Sequence, residues 1–376
     1  MNIVADHNIP GVEQLLGHLG EITTLDGRNI SRSDLLATDV LLVRSVSRVD
    51  EALLRGTPVR FVGSATAGHD HIDIEYLKRT GRHLALASGS NAQSVVEYVF
   101  AALATSGTTL DALCEGRSSL GIIGYGNVGQ RLVKVARTLG ISVLVYDPYV
   151  TECPVSASFE QVMRCEVISV HCALSEEGRF PSRHLLSKQV IATLSSEQVL
   201  INAARGGIID EAALLERASQ GGPRLILDCW EGEPLVHEAL LENAFLATPH
   251  IAGYSKDGKW RGTQMLGEAL ASFSSSEISG KGLGLPRVSV RLHEHHSAAE
   301  AVRQLLGQVY DITTDDALLR SAVHDYDGAE RGRQFDRLRR DYRERRELYG
   351  AQLHCDAPSE WIACVTKAFQ LEWKDS

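Results

Sequence analysis

Short apolar runs alternate with stretches of helical periodicity over the first three quarters of the chain. Val40-Leu41-Leu42-Val43 and Val59-Arg60-Phe61-Val62 read as buried strands, and residues 1–10 open with a similar run. Over 92–104 apolar side chains recur at Val95, Val96, Val99, Phe100 and Leu103, which predicts a long helix bridging two domains. A second alternation follows, with a strand over 119–124, a helix over 127–140 and a strand over 141–147. Further strands are expected at 166–171, 198–203 and 225–228, separated by helices near 158–164, 183–191 and 210–219. Strands alternating with helices in this way predict α/β folding on parallel sheets, the later set being a doubly wound Rossmann-type array.

The pattern changes after 274–287, where SSSEISGKGLGLPR is rich in Ser and Gly and reads as a linker. Residues 286–376 form a candidate third domain. Val288 and Val290 beside Leu292 predict a strand, and Phe335, Leu338, Tyr342 and Tyr349 fall on one stripe of a helix. That stripe needs a cover. A second copy of the chain in a two-fold contact is the expected solution, and a cap folded on the chain's own second domain is the alternative.

Composition narrows the classes. Of 376 residues 44% are apolar and 23% charged, which excludes a disordered or fibrous chain. The formal net charge of −10 weighs against nucleic-acid or anionic-membrane partners. No apolar run is long enough to span a bilayer and no secretory signal is visible at the N-terminus, so a cytoplasmic protein is expected. The seven cysteines contain no C-x-x-C pair, which suggests reduced core residues rather than disulfides or zinc. His293-Glu294-His295-His296 lacks helical metal-site spacing, and no metal is expected. The stretch 331–347 interleaves eight arginines with four acids, a salt-bridged helix rather than a nucleic-acid patch.

Three features carry candidate chemistry. Gly124-Tyr125-Gly126-Asn127-Val128-Gly129 follows a predicted strand and opens a helix, and the next strand ends at Asp147. Glycines there let the backbone turn and approach a pyrophosphate on the helix N-terminus, while Asp147 would accept from ribose hydroxyls and repel a 2′-phosphate. NAD is therefore the expected cofactor. Arg205 in INAARGG, Glu233 in LDCWEGEP and His250 in TPHIAGYS each fall just after a later strand. A histidine base held by a carboxylate, with an arginine fork for a substrate carboxylate, suits hydride removal from a hydroxy acid.

Those motifs, with GSATAGHDHID at 63–73, resemble the D-isomer-specific 2-hydroxyacid dehydrogenases over essentially all of residues 1–285. The resemblance implies Arg205, Glu233 and His250 as the catalytic residues. It also implies a flavodoxin-like substrate domain made of 1–93 and 254–285, with a NAD domain at 94–253 inserted into it. Matches at VRSVSRVD, SGSNAQSVVEYVFAAL, VYDITTDDALLR and FDRLRRDYRERRE are narrower. They resemble a branch of the family that oxidises a small phosphorylated hydroxy acid and carries a small C-terminal α+β dimerisation domain, so a homodimer is implied. By that resemblance Ser45, Thr66 and Tyr254 contact substrate, and Cys172, Ala203, Ala204, Arg205, Asp228 and Gly253 line the NAD site. Arg44 is a further candidate for the substrate, or else a structural ion pair. One departure is Ala173, where many members carry proline, with an expected effect on loop stiffness. Two other classes remain: a related enzyme such as a phosphoglycerate dehydrogenase, and an NADH-sensing binding protein of the co-repressor type on the same fold.

Overall fold

A computed structural model describes residues 1–276, 284–356 and 359–373, so half of the expected linker, 277–283, lies outside the described residues. The chain divides into two compact units, Met1–Asn91 with Ser255–Pro286, and Ala92–Tyr254 with Arg287–Ser376. The region beyond residue 286, expected as a separate domain, belongs to the same unit as the nucleotide half.

The first unit is built on five parallel strands: β1 (Asn2–Asp6), β2 (Glu21–Leu25), β3 (Val40–Val43), β4 (Phe61–Ser64) and β5 (His83–Leu86). Their order is β2-β1-β3-β4-β5, the flavodoxin-like arrangement. All four residues of β3 and of β4 are buried, because a parallel strand covered on both faces reads as a continuous apolar run rather than an alternating one. The long helix Lys256–Ser274 covers one face, burying Leu266, Leu270 and Ala271 among Ile3, Ala5, Leu16 and Phe61.

In the second unit six parallel strands stand in the order β11-β10-β9-β8-β6-β7. They are β6 (Ser119–Ile123), β7 (Ser142–Tyr146), β8 (Val167–Val170), β9 (Val199–Asn202), β10 (Arg224–Leu227) and β11 (Leu246–Ala247). The two-residue β11 carries too little apolar sequence to stand out from its surroundings, and periodicity does not reveal it. The order reverses between β6 and β8, so a crevice opens beyond their carboxyl ends.

Helix α1 (Ala92–Thr105) shows what covers this sheet. Every residue from Ala92 to Leu103 is buried, including Gln93, Ser94 and Glu97, although the sequence spacing marked a single apolar face. The C-terminal region supplies the cover. Val290, Leu292, Val302, Leu348 and Phe369 share one core with Val95, Val99 and Phe100, and the Phe100 and Phe369 rings meet edge-on at 6.0 Å. Three parallel strands organise the region, β12 (Ser289–Leu292), β13 (Gln352–Cys355) and β14 (Glu372–Trp373), in that order.

The expected four-residue helical stripe is cut short. The helix around Phe335 ends at Arg340, so Tyr342 and Tyr349 lie in irregular chain beyond it. Phe335 and Leu338 pack into the core of their own second unit. The stripe is therefore covered within the chain, and deleting the region would expose the apolar face of α1 rather than release an intact nucleotide domain.

Polar groups lock the same interface. The Glu97 carboxylate accepts from Gln93 Nε2 at 3.0 Å, Leu348 N at 2.9 Å and Tyr349 N at 3.0 Å. Arg345, 2% exposed, donates from Nη2 to Ser94 O at 2.6 Å and from Nη1 to Ala252 O at 3.2 Å, with its guanidinium 3.7 Å from the centroid of the Tyr310 ring. Removing one member of a buried charged network leaves its partners uncompensated. Arg345→Met is accordingly expected to lose about 3–5 kcal/mol in urea unfolding; a loss below about 1 kcal/mol would place the network outside the stabilising core.

Candidate active site

The crevice begins with Gly124, directly after β6. Its φ is +102°, and a Cβ there would meet Cys172 N at 2.6 Å, so only glycine allows the two strand ends on either side of the switch point to approach so closely. Gly126 faces open space and precedes α2 (Asn127–Thr138), whose N-terminus has no side-chain cap and no acid in its first turn. Uncapped N–H groups at Asn127 and Val128 with a positive dipole end make an anion site. Asp147, one residue past β7, accepts from Tyr125 N at 2.7 Å and from Tyr149 N at 3.0 Å. Its carboxylate is thereby anchored beside the glycine turn, as a ribose ligand must be. The residues present fit a dinucleotide.

Cys172, on the opposite wall, is a half-buried thiol pushed up to about 12 by burial, an inert lining group. The loop behind it lacks the proline expected at Ala173 but is stitched another way. Ser182 Oγ donates to Ala173 O at 2.6 Å and accepts from Ser175 N at 2.7 Å. Ala203 and Ala204 follow β9 and lead into Arg205, all three half-buried. Gly206 sets that loop, because a Cβ there would lie 2.0 Å from Trp230 C. Contact this close brings the Arg205 loop against the chain that carries Glu233.

His250 and Glu233 form the centre of the site. His250 Nδ1 lies 2.8 Å from Glu233 Oε2 and 3.0 Å from Oε1, and Trp230 N donates to Oε1 at 2.9 Å. Burial pushes Glu233 up, but the hydrogen bond and charge of His250, the Trp230 N–H and the Arg339 guanidinium outweigh it and hold the carboxyl below its usual range. Glu233 is thus an acceptor for Nδ1–H, which leaves Nε2 as the nitrogen able to take a proton from a substrate hydroxyl.

The loop itself is held from behind. His250 has φ +56°, a left-handed conformation that costs a non-glycine residue of order 1 kcal/mol. Its N–H donates to Asp228 O at 2.7 Å, while the buried Asp228 carboxylate accepts from Thr248 Oγ1 at 2.6 Å, Ile251 N at 2.7 Å and Ala252 N at 2.9 Å. Both Asp228 oxygens are thus occupied by the loop, a bracing role that its place in the expected NAD lining did not reveal. Gly253 and Tyr254 continue the loop, both half-buried. Cys229, Glu233 and His250 bring three potential ligand atoms within 4.8 Å of one another. Burial, however, drives the Cys229 thiol well above its ordinary range, and the thiol donates to Ala204 O, which suits a structural proton donor better than a metal ligand.

The remaining candidates lie in the first unit, at the carboxyl ends of β3 and β4. Arg44 Nε pairs with Asp6 Oδ2 at 3.0 Å, so the structural ion pair is present. Its guanidinium keeps 24% exposure and stands close enough to Lys259 to help burial lower that amine to about 8. Ser45 follows directly, and Thr66 Oγ1 is 2.9 Å from Ser64 Oγ. The bracing by Asp228, the Thr248 hydroxyl and Arg339 are not evident from sequence; only position after a strand end could have flagged the first two.

Comparison with known proteins sets these features in a family. Residues 107–252 match the model "D-isomer specific 2-hydroxyacid dehydrogenase, NAD binding domain", and residues 285–366 match a domain of unknown function. The chain belongs to the D-isomer-specific 2-hydroxyacid dehydrogenases, and 107–252 is its NAD-binding domain. Within that class it is 40% identical to erythronate-4-phosphate dehydrogenase of Marinobacter nauticus over 100% of both chains. It is 41% identical to the enzyme of that name from Cellvibrio japonicus over 96% of each. Among solved structures, D-lactate dehydrogenase from Aquifex aeolicus with NAD and lactic acid aligns over 73% of this chain and 96% of its own, at TM-score 0.60 and 22% identity. The NAD-bound 3-phosphoglycerate dehydrogenase of Entamoeba histolytica aligns over 76% and 99%, at 0.60 and 24%. These two share the fold. No helix among the described residues is long and apolar enough to cross a membrane.

If His250 is the base, His250→Asn lowers turnover by about 10² to 10⁴ while leaving NAD affinity nearly unchanged. Steady-state kinetics with a fluorescence titration of NADH check both; near-normal turnover would remove His250 from the chemistry.

Proposed function

We propose that the protein oxidises 4-phospho-D-erythronate to (3R)-3-hydroxy-2-oxo-4-phosphooxybutanoate with NAD as acceptor, an early step toward pyridoxal 5′-phosphate. The observation that carries this reading is likeness at about 40% identity over the whole chain, C-terminal region included, to proteins named erythronate-4-phosphate dehydrogenase. Bound NAD supplies the hydride acceptor. The chain's own residues do the rest. Arg205 offers a planar fork to the substrate carboxylate and polarises the developing 2-oxo group. His250 Nε2 takes the C2 hydroxyl proton, and Glu233 holds the ring and stabilises its charged form. Gly124, Gly126, Asn127, Val128 and Asp147 hold the adenosine and pyrophosphate end, with Cys172, Ala203, Ala204, Asp228 and Gly253 along the remainder. Ser45, Thr66 and Tyr254 are assigned to substrate, and Arg44, already charge-paired but still partly exposed, to a substrate anion.

A cytoplasmic homodimer joined through the C-terminal region completes the proposal. Since that region is already covered within its own chain, a dimer contact must use its outer surface, where Leu318 and Tyr326 are exposed. Sedimentation velocity of the full-length protein is expected to show a dimer at micromolar concentration; a monomer throughout would overturn this part.

The function is tested by following NADH absorbance with 4-phospho-D-erythronate and, separately, with 3-phosphoglycerate. Turnover is expected on the first and at least tenfold less on the second. Preference for 3-phosphoglycerate would make the chain a different dehydrogenase of the family, and NADH binding without turnover on either would favour a sensor.

A further inference from the structure

Most arginines of the stretch 331–347 pair with acids at the surface, as Arg333 does with Glu330 and Arg340 with Asp341. Arg339 turns inward instead. It is half-buried, and its Nε is fully enclosed without a hydrogen-bond partner among the described residues. A buried guanidinium N–H left unpaired is costly, so its retention calls for a reason.

The helix that carries it, α3 (Gly328–Arg340), lies on the chain segment that bears Glu233. A Cβ on Gly332 would come within 3.3 Å of both Pro234 Cγ and Leu235 Cδ2. One turn on, Phe335 is buried in the cluster that holds Trp230 and Val236. Arg339 comes seven residues after Gly332 and so shares that face. Its guanidinium carbon lies 5.9 Å from the centroid of the Phe335 ring and 5.9 Å from that of Tyr254. Tyr342 meets Tyr254 edge-on at 5.8 Å, and Arg345 donates to Ala252 O. Residues 339–345 therefore run beside 252–254, the chain immediately after His250.

We propose that Arg339 is a positioning residue of the active site: it seats the Tyr254 ring, and its charge holds the Glu233 carboxylate as the anionic partner of His250. The inference deepens the oxidation reading and rests on it for its kinetic test. Among the described residues, Glu211 and Cys229 are electrostatically coupled to Glu233 and Asp228 to His250, with Glu231 beside Glu211, Arg205 beside Cys229, and Tyr254 and Asp336 beside Arg339. Glu211 is a potential negative charge coupled to Glu233, and the Arg339 cation acts on Glu233 in the opposite sense. Arg339 is among the influences that lower Glu233, and Tyr254 and Glu233 in turn favour the charged guanidinium. The C-terminal region is thereby a component of the catalytic apparatus as well as a cover for α1.

The sign follows from the direction of the Glu233 shift. Glu233 is depressed in the intact site, so removing an attracting cation lets it take up a proton at higher pH. The test is the pH profile of kcat/KM for 4-phospho-D-erythronate in the full-length enzyme, with folding checked by circular dichroism. Arg339→Met is expected to move the acid limb upward by about half to one pH unit and to lower kcat several-fold. Arg339→Lys, which keeps the charge but loses the planar fork, should leave the limb in place. A folded Arg339→Met enzyme with an unmoved limb overturns the proposal, since a role in packing alone would cost stability without changing the profile. Should Arg339→Met fail to fold, a limb displaced upward in Arg339→Lys overturns it equally. A ¹³C NMR titration of the Glu233 carboxyl in the wild type and in Arg339→Met, without substrate, reads the same effect independently of the substrate assignment. Inactivity of the wild type on the phosphorylated acid would therefore count against the function alone, and an unchanged Glu233 titration against Arg339 alone.

Discussion

The Asp228 carboxylate, 1% exposed at the end of β10, accepts three hydrogen bonds from residues on both sides of His250. Burial pushes this carboxyl up, while the charge of His250 and the Thr248, Ala252 and Ile251 donors pull it down. Each of those donors would cost about 1–3 kcal/mol if left unpaired inside the protein. That is enough to hold His250 in a backbone conformation it would otherwise avoid. From this brace the rest of the site follows: the imidazole meets Glu233, Glu233 meets the Trp230 N–H, and Gly206 lets the Arg205 loop close against Trp230.

The C-terminal region changes what the nucleotide half can be. In isolation α1 would present Val95, Val99 and Phe100 to water, and Glu97 would lose two backbone donors. With the region in place these groups form a continuous core, and the same segment delivers Arg345 to Ala252 and Arg339 to Tyr254. The packing of the C-terminal region and the geometry of the candidate site are thereby joined through a few residues on either side of Tyr254. A cover that merely buried apolar surface would have no need of two inward-facing guanidinium groups.

How much of this is legible in the sequence depends on the range of the interactions. Parallel strands buried on both faces announce themselves as uninterrupted apolar runs, so β3, β8 and β9 are readable from composition alone. The glycine turn, Asp147, Arg205, Glu233 and His250 stand out as candidates because each follows a strand and is of the residue type that the proposed chemistry needs. The course of residues 341–349 is not. Helical spacing groups Tyr342 and Tyr349 with Phe335, yet the helix stops at Arg340, where tertiary contacts of Tyr342 with Asp315 and of Arg345 with Ala252 override local periodicity. Long-range partners such as Glu97 with Leu348, 251 residues apart, leave no local trace. Arg339 is hidden for a related reason: among eight arginines, only the fold shows that Arg339 and Arg345 point inward.

A buried carboxylate, by bracing one loop, sets the geometry of His250, the proposed base. Asp228→Asn tests this most directly, because the amide keeps the volume but replaces one acceptor with a donor facing N–H or O–H groups. Measured as kcat with 4-phospho-D-erythronate on protein whose circular dichroism is unchanged, turnover should fall by about 10², the scale expected when a reacting group is displaced by about 1 Å. A folded Asp228→Asn enzyme with wild-type kcat would contradict it.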